Sequence, residues 1–562
     1  MLNFADGQKR ASDLVEVTRQ RVMPPWLPGG ESPEFLDARR LSDAELDTLR
    51  RWAAAGAPEG DPAVAKSPPV FPEGWQLGAP DLVAEMPEPF TLAADGPDEY
   101  RHFTLPVTLD GPHVVGAVEF AFDNPRIVHH AVLLVDRTPS ARQLDARDPR
   151  PGFAGLMVAG NAGLPDGRFI GWTPGRAPVP YAPGEGWRLA PGSDLVLQLH
   201  LRRTGRPEPV RARVGLHFTD TPPHGRLYTL VLRDRAVAIP AGATNAVARD
   251  AFRLPVAAQV LAVAPHAHFL ARDLRAEALL PGGAVKALLH IPNWDFHWQD
   301  EYRLKEPIAL PAGAEVRFRY IFDNSSANPR NPSRPPRDVA YGRNATDEMA
   351  ELLVTLRTSM PADAAVLRAA AAERTLREDL VRHLARLRGD PTDTRAMKYA
   401  ALRHQQLGEN DAALALLAEA VRREPDQAEG RLLLGEALLE AGRFADAAEH
   451  LGRARELAPN RPETRLAWAR LLATDPAPAR RDPAAAAQLA RDVIAQAGDR
   501  LPAAWEVLAL ALAASGDEAG ARDAAEQALR GAGAREDSEL AARVRRAFPA
   551  VAGQAVARDA RP

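Results

Sequence analysis

Six side chains in the middle of the chain have the donor types of a metal site that changes oxidation state. In chain order they are His129, His130, His200, His266, His268 and Met349. Imidazole suits several transition metals, whereas a thioether favours the softer Cu(I). Three imidazoles followed by two imidazoles and a thioether therefore indicate two copper sites that cycle between Cu(I) and Cu(II). That is the chemistry of a copper redox enzyme.

The pair His266 and His268 follows the apolar run at 259–264, which predicts a strand. Residues two apart on a strand point to the same face, so both imidazoles can reach one metal at roughly 2 Å. The spacing alone also fits two surface histidines.

The adjacent pair His129 and His130 is a different case, because neighbours on a regular strand point to opposite faces. Joint ligation needs a bulge, a strong twist or a strand end, and Asn124-Pro125 upstream could supply the irregularity. The alternative is one core histidine and one exposed histidine.

His200 lies in a strictly alternating run at 195–202, and Met349 lies in Thr-Asp-Glu-Met. Each alone would be an ordinary strand or core residue, so the joint occurrence of all six carries the prediction. No carboxylate is among the proposed ligands, which counts against a 2-His-1-carboxylate iron site and against hydrolytic zinc–carboxylate chemistry.

The lack of cysteine and the low net charge exclude several classes of site and give no support to others. The chain has 562 residues, a formal net charge of -4 and no cysteine. The absence of cysteine excludes disulfides, thiolate zinc sites, iron–sulfur clusters and thiol catalysis. The charge gives no reason to expect nucleic acid or an anionic membrane as a partner.

The pattern predicts a multidomain chain, in which an all-β part is followed by an all-α part. A helical N-terminal segment with a linker takes residues 1–72. Two all-β sandwiches follow at 77–222 and 223–362, because short apolar runs alternate with Gly, Pro and Asp there. Helical repeats are predicted at 363–550, and a disordered tail at 551–562.

The helical part repeats itself every 34 residues. Leu417 recurs as Leu451, and Pro425 recurs as Pro459. This period, with small residues at the helix contacts, resembles tetratricopeptide (TPR) repeats. Such a stack presents a concave surface, which predicts a protein partner.

The metal-ligand motifs themselves resemble a known enzyme family. His-His-Ala-Val-Leu-Leu-Val, Leu-Val-Leu-Gln-Leu-His-Leu, His-Ala-His-Phe-Leu-Ala-Arg and Thr-Asp-Glu-Met are similar to the copper type II ascorbate-dependent monooxygenases. Peptidylglycine α-hydroxylating monooxygenase and dopamine β-monooxygenase belong to this family. The resemblance covers about residues 78–360 and keeps the ligand motifs in the family's order.

The resemblance implies two jelly-roll sandwiches with two copper ions per chain. The first sandwich would hold an electron-supplying copper on His129, His130 and His200. The second would hold the oxygen-activating copper on His266, His268 and Met349. The implied oxidoreductase hydroxylates an organic C–H bond with dioxygen, and takes electrons from ascorbate or another one-electron donor.

Two departures from the family limit what carries over. Family members are disulfide-bonded, whereas this chain has no cysteine. The peptide-amidating enzyme binds its substrate carboxylate at positions that are Ala264, Glu351 and Leu353 here. A glycine-extended peptide is therefore not the expected substrate, and the small-molecule or peptide-like substrate is left unidentified.

The segment Met23-Pro-Pro-Trp26 resembles the tail of a c-type cytochrome module, in which the methionine would be a haem ligand. The Cys-x-x-Cys-His attachment motif is missing, so we expect no covalent haem. The alternative is a helical extension packed on the sandwich. The family is extracytoplasmic, but no signal peptide or transmembrane segment is visible, which predicts a cytoplasmic protein if the N-terminus is complete.

Three functional hypotheses follow. The first is a copper-dependent monooxygenase. The second is a non-catalytic protein that binds or handles copper. The third is a TPR interaction scaffold with degenerate metal sites.

Overall fold

A computed structural model provides the structure of the chain. It describes residues 3–36, 38–61, 63, 74–138, 140–155, 161–342, 344–497, 501–534 and 538–551. The chain divides into two compact units, Met1–Arg368 and Ala369–Pro562. Most of the predicted linker (64–73) and nearly all of the predicted tail (552–562) lie outside the described residues.

The first unit begins with three helices. They are α1 (Phe4–Lys9), α2 (Ala11–Arg19) and α3 (Asp43–Ala54). A capping box starts α3: Ser42 Oγ accepts from the Glu45 amide at 3.3 Å, and Glu45 Oε2 accepts from the Ser42 amide at 2.7 Å. The spacing Ser-Asp-Ala-Glu at 42–45 predicts this cap from the sequence, and the structure confirms it.

The rest of the first unit consists mainly of strands. In chain order they are β1 (Leu82–Glu85), β2 (Phe90–Leu92), β3 (Glu99–Pro106), β4 (His113–Phe122), β5 (Val128–Asp136), then the short helix α4 (Ser140–Asp145), β6 (Phe153–Ala154), β7 (Gly171–Trp172), β8 (Trp187–Leu189), β9 (Asp194–Leu201), β10 (Glu208–Val210), β11 (Ala212–Phe218), β12 (Arg226–Arg233), β13 (Ala238–Ile239), β14 (Ala246–Arg253), β15 (Ala258–Ala267), β16 (Ala271–Leu279), β17 (Val285–Ile291), β18 (Tyr302–Leu310), β19 (Glu315–Phe322), β20 (Val339–Ala340) and β21 (Ala350–Thr358).

The first half of these strands forms two sheets that share one hydrophobic core. One sheet has the order β1-β11-β4-β8, and the other has the order β6-β3-β9-β5-β7. Leu133 and Leu197 from the second sheet and Val214 from the first are fully buried in that core. Alternating apolar residues on two facing sheets produce this arrangement.

The second half forms two further four-stranded sheets, β12-β21-β15-β18 and β14-β19-β16-β17. The Tyr320 hydroxyl on β19 donates to the Glu351 carbonyl on β21 at 2.8 Å, so the two sheets are in contact. A β-rich region before the helices is therefore confirmed. The jelly-roll connectivity implied by the family resemblance stays a prediction.

Part of the N-terminal segment packs on the second pair of sheets. The Trp26 ring meets the Tyr302 ring edge-on at 5.4 Å, and Phe35 forms a β-bridge with Leu304. These contacts are those of an extension packed on a sandwich. Met23 is 47% exposed.

The second unit is helical, and its first helix begins at the end of the first unit. The helices are α5 (Pro361–Gly389), α6 (Thr394–Gln406), α7 (Asn410–Arg423), α8 (Ala428–Glu440), α9 (Phe444–Leu457), α10 (Pro462–Thr474), α11 (Pro483–Ala497), α12 (Ala503–Ala514), α13 (Glu518–Ala534) and α14 (Ser538–Ala547). Consecutive helices pack as hairpins, including α6 with α7 and α8 with α9. The predicted all-α stack is confirmed.

A close helix contact in this stack generates a prediction. A Cβ added at Gly435 would lie 2.5 Å from Leu451 Cδ2, whereas one at Gly430 in the same helix would meet only Val421 at 3.5 Å. We expect Gly435→Ala to destabilise the second unit by about 1–3 kcal/mol, because Leu451 is fully buried. Gly430→Ala is the control and should stabilise it by up to about 1 kcal/mol through helix propensity. Thermal unfolding followed by circular dichroism measures both, and equal melting of the variants would contradict the contact.

Candidate metal centre

A β-bulge brings the first three predicted ligands together. On the pairing of β5 with β9, His130 lies directly opposite His200, and the register shifts between Val128 and His130. His129 is therefore the extra residue of the bulge. A bulge re-aims a side chain that a regular strand would send to the opposite face. This is the irregularity that joint ligation by adjacent histidines requires.

The donor atoms of His129, His130 and His200 all lie within 4.8 Å of one another. Nδ1 of His129 is 3.3 Å from Nδ1 of His130. Two nitrogens bound to one metal at about 2.0 Å in tetrahedral geometry are about 3.3 Å apart. In the described part of the chain, this is the single group of three or more His, Cys, Asp or Glu residues with such spacing.

The surroundings of His200 assign its two ring nitrogens different roles. Nε2 lies 2.9 Å from Asp98 Oδ2, and the Tyr100 ring stacks on the imidazole with centroids 4.1 Å apart. Nδ1 is buried and has no hydrogen-bond partner among the described residues. An unsatisfied buried nitrogen is costly unless something binds it. A carboxylate on one nitrogen and a metal on the other is a common arrangement for a ligating histidine, so the residues fit a metal here.

The second group of predicted ligands lies along the pairing of β15 with β21. His266 is directly opposite Glu351. Continuing that register by two residues brings His268, just past the end of β15, opposite Met349, just before β21. Residues opposite each other, and residues two apart, share a face of a sheet. A continued register would therefore place His266, His268 and Met349 on one face.

Hydrogen bonds hold Nδ1 of both histidines in this second group. His266 Nδ1 is 2.5 Å from Gln299 Oε1, and His268 Nδ1 is 3.1 Å from the Asp347 carbonyl oxygen. Both partners are acceptors, so each Nδ1 donates to its partner and Nε2 is the other ring nitrogen, which a ligand can reach. The two rings have centroids 5.3 Å apart. Nε2 is thus the ligand atom that both residues offer.

A fully buried carboxylate joins the two ends of this group. Glu348 accepts backbone N–H bonds from His268, from Leu270 at 2.9 Å and from Met349 at 2.8 Å. Burial raises the pKa of Glu348 to about 8 despite these bonds. The side chain fixes the backbone of His268 against that of Met349.

An aromatic ring separates the two groups. Phe296 stacks against His129 with centroids 4.8 Å apart, and its edge meets His268 at 5.5 Å. It is 3% exposed. The aromatic sequence at 294–299, which contains His297, is by its composition typical of a core, with the lining of a substrate pocket as the lesser alternative. The structure buries Phe296 and leaves His297 exposed, so the phenylalanine is the residue in contact with the predicted ligands.

Burial also sets the charge of these histidines. It lowers the pKa of His129 and of His268 to about 3, and the pKa of His130 falls well below its usual value for the same reason. Neighbouring imidazoles add smaller contributions in the same direction. The rings of His129, His130 and His268 are therefore neutral at pH 7, which metal ligation requires.

Sequence reasoning missed the residues that orient the ligands. Asp98 and Gln299 lie in loops, and nothing in their local pattern connects them to the histidines. Glu348 stood inside the quoted motif, but its role follows only from the three amides it meets. No isolated sequence signal would have identified the first two.

The comparisons with known proteins concern TPR proteins. The family model described as a tetratricopeptide repeat matches residues 400–462. This match, within the helical second unit, indicates a region that binds a protein partner. Among curated proteins, no significant match was found. Within the described residues, no helix combines the length and apolar character that crossing a membrane requires.

Several solved structures are also similar to the chain. The MamA protein is 17% identical and covers 30% of this chain and 89% of its own, with a TM-score of 0.23. YrrB, described as a TPR protein with an unusual peptide-binding site, is 19% identical and covers 33% and 89%, with a TM-score of 0.23. A tetratricopeptide repeat protein from Parabacteroides merdae is 16% identical and covers 32% and 73%, with a TM-score of 0.26.

The lowered histidine pKa values predict that acid destabilises the metal-free protein. The buried histidines stay neutral in the folded state, whereas the unfolded chain protonates them near 6.5, so stability present above pH 6.5 is lost as the pH falls toward 4. His102, outside the predicted ligands, shows this most simply, because burial lowers its pKa to about 4. We expect His102→Phe to reduce the slope of unfolding free energy against pH by up to about 1.4 kcal/mol per pH unit between 6.5 and 4. Urea unfolding at several pH values measures the slope, and an unchanged slope would refute this.

Proposed function

We propose that this protein is a copper-dependent monooxygenase that hydroxylates an organic C–H bond with dioxygen and an external one-electron donor. The observation that carries the proposal is the convergence of His129, His130 and His200, with Nδ1 of His200 buried and unsatisfied while Asp98 holds its other nitrogen. The motif resemblance to copper monooxygenases supports the same conclusion.

Two sets of side chains would hold copper. His129, His130 and His200 offer three nitrogens, a donor set suited to storing one electron. His266 and His268 offer Nε2, and Met349 offers the thioether that stabilises Cu(I). When bound, the two ions supply one-electron exchange and the activation of dioxygen.

The chain's other residues orient these ligands and keep water away. Asp98 and Gln299 each hold one ring nitrogen of their histidine, so the other nitrogen is the one that would bind the ion. Glu348 holds His268 beside Met349. Phe296 fills the space between His129 and His268 with an apolar ring, which excludes water there.

The side chains next to His266 on the same face of the sheet limit which substrates the second site can bind. Ala264 lies opposite Leu353 in the register, on the face that carries His266. Both side chains are apolar, so this pair offers no cation or hydrogen-bond donor to a substrate carboxylate. Glu351, between them and Met349, is already 3.3 Å from Arg233 Nε. These features support a substrate other than a glycine-extended peptide.

The TPR region supplies the second half of the proposed function. It would bind the electron donor, such as a cytochrome, or a protein that carries the substrate; ascorbate is the alternative donor. The family resemblance implies an extracytoplasmic location for this chemistry.

A second candidate is a TPR interaction scaffold whose β-rich region binds or handles copper without turnover. The TPR match at residues 400–462 favours it, because that match concerns interaction rather than catalysis. The two candidates share the copper sites and differ in the use of dioxygen.

The copper content distinguishes both candidates, which bind copper, from a scaffold whose metal sites are degenerate. We expect about two coppers per chain, from the three-plus-three ligand count. His200→Ala should weaken only the first site, and Met349→Ala only the second site for Cu(I). His297→Ala is the control, because this exposed histidine lies beside Phe296 and is not a proposed ligand. Elemental analysis after dialysis, with competition titrations, measures this; one copper or none, unchanged by His266→Ala, would favour the degenerate scaffold.

Oxygen consumption tests catalysis itself. With copper and ascorbate present, we expect oxygen uptake that rises when a suitable C–H substrate is added. His266→Ala should abolish the substrate-dependent part, because the second site loses a ligand. Two bound coppers without substrate-dependent uptake across a broad substrate screen would instead support the non-catalytic copper protein.

A further inference from the structure

The connection between β17 and β18, residues 292–301, touches both histidine groups. Phe296 stacks on His129 of the first group. The Trp294 indole donates to the His268 carbonyl at 3.1 Å, and Gln299 lies against His266 in the second group. One short segment of the second sandwich thus meets ligands from both.

Gln299 is held so that only its oxygen can face His266. Its Nε2 donates to the Phe296 carbonyl at 3.0 Å, which fixes the orientation of the amide. Its Oε1 then lies 2.5 Å from His266 Nδ1. Because an amide oxygen only accepts, His266 donates from Nδ1, and Nε2 is the nitrogen that it presents to a ligand.

The same glutamine is bonded to the first sandwich. The Thr173 hydroxyl donates to the Gln299 carbonyl at 2.9 Å. Thr173 directly follows β7, and β7 pairs with β5 at Ala131, next to His130. A continuous path of backbone pairing and hydrogen bonds therefore runs from the strand that carries His129 and His130 to the ring of His266.

Ion pairs hold the segment in this place. Arg176 of the first sandwich lies 3.0 Å from Glu301 and 3.5 Å from Asp300. Asp300 also meets Arg39 of the N-terminal segment at 2.7 Å. The charges next to Gln299 are thus satisfied by parts of the chain outside the second sandwich.

We propose that Gln299 is a positioning residue that makes the orientation of His266 depend on docking of the second sandwich against the first. The metal-binding consequence rests on the proposed function, whereas the ring orientation is a property of the metal-free protein. Both histidine groups then depend on the 292–301 connection. Its displacement removes the Gln299 acceptor from His266 and the Phe296 ring from His129.

The first experiment measures the His266 tautomer without metal. Protein labelled with 15N in histidine reports by NMR which ring nitrogen carries the proton. We expect the Nδ1–H form at His266 in the parent and a mixture of forms in Gln299→Leu, which has no acceptor. Gln299→Glu keeps an acceptor and should restore the Nδ1–H form. His268, held by the Asp347 carbonyl, is the internal control and should not change.

The second experiment tests the path through the first sandwich with a matched pair of variants. Thr173→Val removes the hydroxyl bond to Gln299. Thr229→Val removes another hydroxyl bond between the same two sandwiches, from Thr229 to the Gly167 carbonyl at 2.7 Å, which involves neither Gln299 nor the 292–301 connection. We expect Thr173→Val alone to shift the His266 signals and to weaken Cu(I) binding at the second site by about tenfold.

The outcomes separate this inference from the proposed function. An unchanged His266 tautomer in Gln299→Leu would overturn the positioning role. Equal effects of Thr173→Val and Thr229→Val would overturn the path, because they would show general loosening of the interface. A parent that binds no copper would refute the proposed function, while the tautomer measurement on metal-free protein would still decide the role of Gln299.

Discussion

The pairing of β5 with β9, with one extra residue at His129, is the constraint on which the candidate metal centre depends. A regular ladder would send His129 and His130 to opposite faces of the sheet. The bulge turns both toward His200 on the neighbouring strand. Because apolar residues of both strands, such as Leu133 and Leu197, are fully buried in a shared core, the sandwich holds this irregular pairing in place. The chain has no disulfide to do so.

A second constraint is that each buried imidazole must satisfy two nitrogens. Acceptors hold one nitrogen of each of three residues: Asp98 for His200, Gln299 for His266 and the Asp347 carbonyl for His268. His200 thereby offers Nδ1, whereas His266 and His268 offer Nε2. Since burial keeps the rings of His129 and His268 neutral, their lone pairs are available at pH 7.

The helical second unit is stabilised by contacts between helices that are neighbours in the sequence. The two helices of a hairpin bury small and aliphatic residues against each other, as Gly435 of α8 and Leu451 of α9 do. Each hairpin also packs on the next, as α9 does on α10, so the stack is built from nearest-neighbour contacts. Such a unit is recognisable from a short repeat, and the TPR match at residues 400–462 agrees with this. The β-rich unit has no such local signature, because its strands pair over long sequence separations.

By itself, the sequence determined the repeat in the helical unit, the capping box at Ser42, and the main strands that carry the histidines. These features depend on spacing within one element, which side-chain periodicity records directly. Only the tertiary structure decided that His129 is a bulged residue, that Phe296 lies between the two groups, and that Asp98 and Gln299 orient the rings. Those contacts join residues tens to more than a hundred positions apart, and no local pattern specifies which distant loops the folded sheets bring together.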